Sequence, residues 1–526
     1  MIILENGKNK LSFDEEKGVI CELKNEICQY IYKQAPIFEM ALRNEAGERI
    51  ITNTCQMEFA GSEASDSCFS CTYKNELAMV TITVCAGEDF EFRISAQPAS
   101  YLVSVWIYYP QIVVEDNLGK GAEDYKILWG FNEGALVDDI DFRERTFAYT
   151  EPDYPSTGAM GMYPAIVETQ FMAYYNDKSG LYLAAHDDKD YLKGIDFYRV
   201  DSDAVKLQFK HFCGGNFGES YELSYPMVAK FFKGDWMDAS EIYRKWFVQN
   251  RERQFVKISE NQALPDRYGQ SPVVVTYPVR GVHDTDIMNP NRMFPYINAM
   301  PHIERLEKEL GSKIMVILMH WEGTAPWAPP YVWPPFGGEN ELKKFIDALH
   351  SRGDILGVYC SGIGWTDKSK IADYVMTEVF EKENLREEMC LSPRQELPYC
   401  NICPAQRVGY DLCPTRDFTK NVMKAEVEKM VSAGIDYIQL LDQNHGGTPY
   451  FCYSRKHNHP PVPGKWQVDA MKELLTIATR NDKKVLFGCE SAAAESYIPK
   501  LLFSDNRFNL NYAAGRPVPV YAYVFH

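Results

Sequence analysis

Between Pro272 and Phe487, short apolar runs alternate with stretches whose apolar residues recur every three or four positions. A chain with that pattern is restricted to βα units around a parallel sheet. The runs are Pro272 to Tyr277, Lys313 to Met319, Ile355 to Tyr359, Tyr437 to Leu441 and Lys484 to Phe487. Between them, Ile303, Leu306 and Leu310 mark a helix entered at Pro301, where the missing proline N–H is harmless. Leu342, Phe345, Ile346 and Leu349 mark the next, stopped at Gly353. Val422, Met423, Val427, Met430 and Val431 mark one that ends at Gly434, and Val468, Met471, Leu474, Leu475 and Ala478 mark another. An insertion separates the third strand from the fourth, over 367–414. Weaker strands fit Phe508 to Leu510 and Val518 to Phe525. That makes seven strands toward the eight of a (β/α)8 TIM barrel. The barrel is therefore expected to be incomplete at its C-terminal end, in a longer native protein.

The first part of the chain reads differently. Residues 1–235 carry many short alternating runs and no helical period, among them Leu77 to Val84, Phe90 to Ser95 and Ala204 to Phe209. Tyr174 to Ala185 is a hairpin pattern turning near Gly180. The expected architecture is an antiparallel β-sandwich over 1–235, a helical linker over 236–265 and the TIM-barrel domain over 266–526. The linker helix is marked by Ile242, Tyr243, Trp246 and Phe247.

The formal net charge of −18 repels phosphate backbones and anionic bilayers, so nucleic-acid and membrane partners are not expected. No apolar run is long enough to span a bilayer, and the first residues lack a signal-peptide layout, so a cytoplasmic location is expected. Oligomeric state is left open. The 33 Tyr and 9 Trp suit a carbohydrate partner, although aromatics also fill cores.

The 14 cysteines include two pairs with metal-ligand spacing, Cys68-x-x-Cys71 and Cys400-x-x-Cys403, the latter flanked by Cys390 and Cys413. Neither has a clear second pair, so free thiols are expected, with no metal and no cofactor.

In parallel α/β folds, chemistry gathers at the carboxyl ends of the strands. Those ends supply Tyr277 and Arg280; His320, Trp321 and Glu322; Tyr359, with Trp365 nearby; Asp442, Gln443 and Asn444; Glu490; and His526. Asp442 and Glu490 each follow an apolar strand, on neighbouring strands. Glycoside hydrolysis needs two carboxylates, one to attack the anomeric carbon or activate water and one to protonate the leaving oxygen. The shorter Asp442 suits the nucleophile and the longer Glu490 the acid. An Asp in this place can also cap a following helix, and Glu322 and Glu495 compete for the acid role.

The segments Leu412-Cys-Pro-Thr, Gly434-Ile-Asp-Tyr-Ile-Gln-Leu-Leu-Asp442-Gln and Phe487-Gly-Cys-Glu490 resemble retaining α-glycosidases of glycoside hydrolase families 101 and 129. So does the layout of a sandwich, a Gly234-Asp-Trp…Tyr-Arg-Lys-Trp246 helix and a barrel. The resemblance implies Asp442 as nucleophile, Glu490 as acid/base and an α-linked galactoside or N-acetylgalactosaminide as substrate. Tyr277, Arg280, His320, Trp321, Tyr359, Trp365, Gln443, Asn444 and His526 are then the expected sugar-binding residues. Two other readings stay open: a non-catalytic carbohydrate-binding or degenerate barrel, and a metal-dependent hydrolase using His320, His445, His457 or His459.

Overall fold

The computed structural model describes the chain except residues 121–123, 141–160, 252–254, 263, 271, 284–285, 401–402, 443, 481–484, 505–514 and 526. Its first part is built from antiparallel sheets: a three-stranded meander, a six-stranded sheet and an eleven-stranded sheet. The alternation expected of half-buried strands is present. In Phe90–Pro98, Phe90, Phe92, Ile94 and Ala96 are buried while Glu91, Arg93 and Gln97 are exposed. The expected hairpin pairs Val167–Tyr175 with Gly180–Ala185, Tyr175 facing Gly180.

Several strands break the alternation because both of their faces are covered, two of them at contacts that matter for the site. Val167–Tyr175 is buried throughout. Its outer face carries Phe171, Ala173 and Tyr175, which pack against Tyr243 and Phe247 of the helix Trp236–Asn250. Phe171 stacks on Tyr243 at 5.0 Å. Val103–Glu115 is buried at every position but the last. Ile107, Tyr109, Ile112 and Val114 belong to the sandwich core, whereas Val103, Val105, Trp106 and Tyr108 join the core of the α/β part. The sandwich thus leans on the α/β sheet through a continuous apolar layer, with Phe212 against Phe451 at 5.3 Å.

The α/β part contains a five-stranded parallel sheet in simple sequence order: Val273–Pro278, Ile314–Met319, Ile355–Tyr359, Tyr437–Leu441 and Leu486–Cys489. Helices Met300–Leu310, Glu339–Arg352, Asp417–Ala433 and Lys465–Thr479 connect the strands. Gly353 and Gly434 end two of these helices in the left-handed region, φ 81° and 99°. One sheet face holds Met315, Ile317, Ile355, Tyr359, Tyr437 and Leu486. The other presents Ile314, Val316, Leu318, Leu356, Val358, Ile438 and Phe487 to the helices. Tyr437 fills space left by glycines: a Cβ on Gly357 would lie 2.8 Å from its ring, and one on Gly488 2.3 Å from its hydroxyl.

Two expectations need correction, the seventh strand and the free thiol of Cys68. Five parallel strands are present among the described residues, short of a closed barrel. The sixth expected strand, 508–510, lies outside them. The seventh, over 518–525, is instead the helix Val520–Phe525, preceded by Arg516–Pro517 paired to Ala135–Val137. An all-apolar run carries no period of its own, so packing decides: Val520 and Val524, one turn apart, bury against the helix Trp236–Asn250. Finally, Cys68 is no free thiol. It forms a disulfide with Cys85, its direct cross-strand neighbour. The insertion after the third strand contains a two-stranded ribbon, Gly364–Ser369 with Arg407–Asp411. No helix among the described residues is long and apolar enough to cross a membrane.

Candidate active site

The fourth and fifth parallel strands run in register from Tyr437 with Leu486 to Gln439 with Gly488. The next regular pairs would be Leu440 with Cys489 and Leu441 with Glu490. The observed pair is Leu441 with Cys489, so the fourth strand carries one extra residue. A one-residue slip exchanges the faces of everything that follows. Leu440 and Leu441 accordingly both enter the helix-facing core, together with Cys489. Asp442 then follows Leu441 as Glu490 follows Cys489, and both side chains leave from the face opposite that core. Neighbouring strands lie about 4.8 Å apart, so the two acids stand at adjacent strand ends. Asp442 is 1% exposed and Glu490 8%. The Asp442 amide donates to the Cys360 carbonyl at 3.0 Å, and the Glu490 carbonyl accepts from Gly446 at 3.1 Å.

The acid at the start of the same strand has another fate. Asp436 is bound by His350 Nε2 at 2.8 Å, by the Leu356 amide at 2.9 Å and by Arg267 at 2.9 Å. It fastens the sheet to a helix and faces no open site.

The first two strand ends form a second polar group. Arg280 donates from Nε to the His320 carbonyl at 3.1 Å and from a terminal nitrogen to the Glu322 carbonyl, with its guanidinium 4.4 Å from the Phe336 ring. Burial lowers its pKa. His320 has φ 53° and donates from Nδ1 to the Arg280 carbonyl at 2.8 Å, which fixes its tautomer. Arg280 is therefore a clamp on the 320–322 turn. Beside it lies Glu322, 4% exposed, whose carboxyl burial pushes up. Its Oε2, the Tyr277 hydroxyl and the Trp327 indole N–H have no hydrogen-bond partner among the described residues. Trp327 lies 5.7 Å from the His320 ring with φ 62°. Buried polar tips of this kind suit a polar ligand. Burial also pushes the Tyr277 hydroxyl up to about 12.

Other expected site residues are engaged in the fold. Trp321 is fully buried and donates its indole N–H to the Tyr359 carbonyl at 2.7 Å. Trp365, also fully buried, is packed by Tyr331, Phe380 and Phe418 in the insertion. Asn444 accepts from the Ile363 amide at 3.3 Å and donates to the Thr448 carbonyl at 2.8 Å, bracing its own turn. Gln443, His526 and the His445 side chain lie outside the described residues. Of the competing acids, Glu495 is held by Arg251 at 2.6 Å and Tyr243 at 2.5 Å and points into the junction with the sandwich. The sequence named Glu322 only as a rival acid, and placed Trp327 in a proline-rich segment readable as a rigid loop or as a lid with aromatic faces toward a sugar, without counting it among the site residues. The available signal was the run of turn-forming prolines after the second strand, which places a tryptophan back over His320.

A family model described as "Domain of unknown function (DUF6259)" matches residues 221–526, more than half of the chain. The chain belongs to the DUF6259 family. No curated protein matches it. Among solved structures, this DUF6259 member resembles the α-N-acetylgalactosaminidase NagBb from Bifidobacterium bifidum in complex with Gal-NHAc-DNJ. Identity is 12% and the TM-score 0.66, over 100% of this chain and 82% of that one. The ligand-free form of NagBb gives 13% and 0.66, over 100% and 84%. A GH36 α-galactosidase, AgaB from Geobacillus stearothermophilus, gives 10% and 0.48, over 99% and 76%. At 12–13% identity the likeness to NagBb is one of fold. It agrees with the resemblance to α-N-acetylgalactosaminidases seen in the sequence.

Proposed function

We propose that the protein is a retaining exo-α-glycosidase acting on α-galactoside or α-N-acetylgalactosaminide sugars. The observation that carries this reading is the slip between Gln439 and Leu441, which sets Asp442 beside Glu490 on one face of adjacent strand ends. Two carboxyl groups on adjacent strand ends suit the double-displacement mechanism, which needs them about 5 Å apart, one attacking carbon and the other handling protons.

In the first step Asp442 attacks the anomeric carbon and Glu490 gives its proton to the departing oxygen. A covalent glycosyl ester forms on Asp442 and the aglycone leaves with that proton. In the second step Glu490 takes a proton from water, whose oxygen displaces Asp442. Glu322 and the Trp327 indole would receive sugar hydroxyls, while Arg280 and Trp321 hold the 320–322 turn; Tyr277 instead packs its ring against Tyr296 and Phe345 on the helix-facing side.

The test is a panel of aryl α- and β-glycosides assayed with wild type, Asp442→Asn and Glu490→Gln, with NMR of the first-formed anomer. Turnover of an α-glycoside with retained configuration, lost in both variants, is expected. An inverted first product overturns the retaining mechanism. Absence of turnover across the panel overturns the enzymatic reading in favour of a binding protein.

A further inference from the structure

Away from the strand-end acids, four side chains converge from the insertion and the loop after the fourth strand. Cys413, Cys452, His457 and His459 each offer one ligand atom, and the four atoms lie within 4.8 Å of one another. Cys413 and Cys452 are fully buried and His457 is 8% exposed. Cys413 Sγ lies 3.6 Å from His459 Nε2, and Cys452 Sγ lies 3.5 Å from His457 Nδ1.

We propose that these four residues bind a structural zinc ion. Tetrahedral zinc at about 2.3 Å from sulfur and about 2.05 Å from nitrogen sets sulfur–nitrogen edges of about 3.6 Å. The two sulfur–nitrogen edges, 3.6 and 3.5 Å, match that length closely.

The outer nitrogens of the imidazoles provide an independent argument. His457 Nε2 lies 3.0 Å from the Glu387 carbonyl, and His459 Nδ1 lies 2.7 Å from the Pro460 carbonyl. A carbonyl only accepts, so each of these nitrogens carries the ring proton. The inner nitrogen of each neutral ring then presents its lone pair to the sulfurs, the state a metal ligand requires. His459 is held further by stacking on Trp466 at 3.7 Å and 9°.

Charge also fits. Two thiolates and one divalent cation sum to zero, which lets the centre sit in a buried place without a counter-ion. Four protein ligands leave no open position, so the ion acts on structure and not as a Lewis acid on substrate. It joins the turn before the helix Asp417–Ala433 to the loop that follows Asp442, and the stacked Trp466 extends the tie to the helix Lys465–Thr479.

Cys390, whose thiol reaches both Cys413 and Cys452, is outside the ligand set. It serves as a neighbour of the ligand thiolates. A Cys413–Cys452 disulfide is the competing arrangement, and it would leave two inward imidazole nitrogens with nothing to receive them.

The test uses the full-length chain purified without chelator. Elemental analysis and native mass spectrometry are expected to show about one zinc per chain. Cobalt exchanged into the site is expected to give the absorption bands of a tetrahedral ion with thiolate ligands. Cys452→Ser and His457→Gln should each lose the metal, and Cys390→Ser should keep it. A metal-free chain that takes up no cobalt, or one lighter by the two hydrogens of a disulfide, overturns the proposal. Loss of metal in Cys390→Ser with retention in His457→Gln overturns the ligand set. The cobalt spectrum of wild type decides the matter if the variants fail to fold, and none of these readouts depends on glycosidase activity.

Discussion

Leu441 pairs with Cys489, one residue short of Glu490, the partner that the register of Gln439 with Gly488 would assign. Without that slip, alternation would turn Asp442 toward the helices, away from Glu490. The candidate site therefore depends on a defect in a ladder as much as on its acids. Bulges next to active sites re-aim side chains in this way.

Substituting the two acids should separate chemistry from binding. Asp442→Asn and Glu490→Gln are each expected to lower kcat/KM on a good aryl α-glycoside by about 100-fold or more. A loss below tenfold, about 1.4 kcal/mol of barrier, rules out the residue concerned. For Glu490→Gln, substrates with an activated leaving group should suffer less than those with a poor one.

The buried network at the sandwich junction should govern stability and not chemistry. Arg251 lies 2.6 Å from both Asp190 and Glu495 and is 1% exposed. Arg251→Met leaves two buried carboxylates short of their cation and is expected to destabilise by about 3–5 kcal/mol. Asp190 is itself partly desolvated, but Arg251 and Lys472 hold its carboxyl down at about 2. Its contribution is present above the usual carboxylate range and is lost as pH falls through about 4 toward 2. Urea unfolding of wild type and variant across that range measures both effects.

One buried and one half-buried histidine, His211 and His186, should make the protein sensitive to mild acid. Burial lowers His211 to about 3 and His186 to about 4. His211 lies between the Tyr225 hydroxyl at 2.8 Å and the Tyr109 carbonyl at 2.7 Å. A depressed histidine pKa means that the unfolded chain takes up protons first. Stability is then full above about 6.5 and falls as pH drops below it, by up to about 1.4 kcal/mol per pH unit for each group. His211→Gln should remove one proton's worth of that slope between pH about 6 and 4. An unchanged slope in urea titrations disproves the assignment.

Gly488 should tolerate no side chain. A Cβ there would lie 1.7 Å from the Phe503 carbonyl and 2.3 Å from the Tyr437 hydroxyl. Gly488→Ala is expected to destabilise by about 3 kcal/mol or more, because backbone stands in the way. Gly311 has φ 62° with nothing within 4 Å of its Cβ position. Gly311→Ala should cost only about 1 kcal/mol, the strain of a left-handed residue. Thermal melts of both variants make the comparison.

Much of the layout could be read from the chain. Apolar runs and their helical partners located all five parallel strands, and Gly353 and Gly434 marked where two helices stop. The sandwich strands showed themselves wherever one face is wet, as in Phe90–Pro98. Val520–Phe525 was misread because six residues, all apolar or aromatic, carry neither period, and the helix Trp236–Asn250 decides their form. Cys68 was read by its spacing to Cys71, whereas its partner Cys85 comes from the strand beside it.

The sequence by itself determined which residues stand at the strand ends, since runs of apolar residues and capping glycines are local signals. Asp442 and Glu490 were found that way. Only the tertiary structure decided which face Asp442 leaves from, because the extra residue after Gln439 exists only relative to the pairing of the neighbouring strand. It likewise decided that Glu495 answers Arg251, and that Cys413 meets Cys452, His457 and His459. Those encounters join residues far apart in the chain, and no local period encodes them.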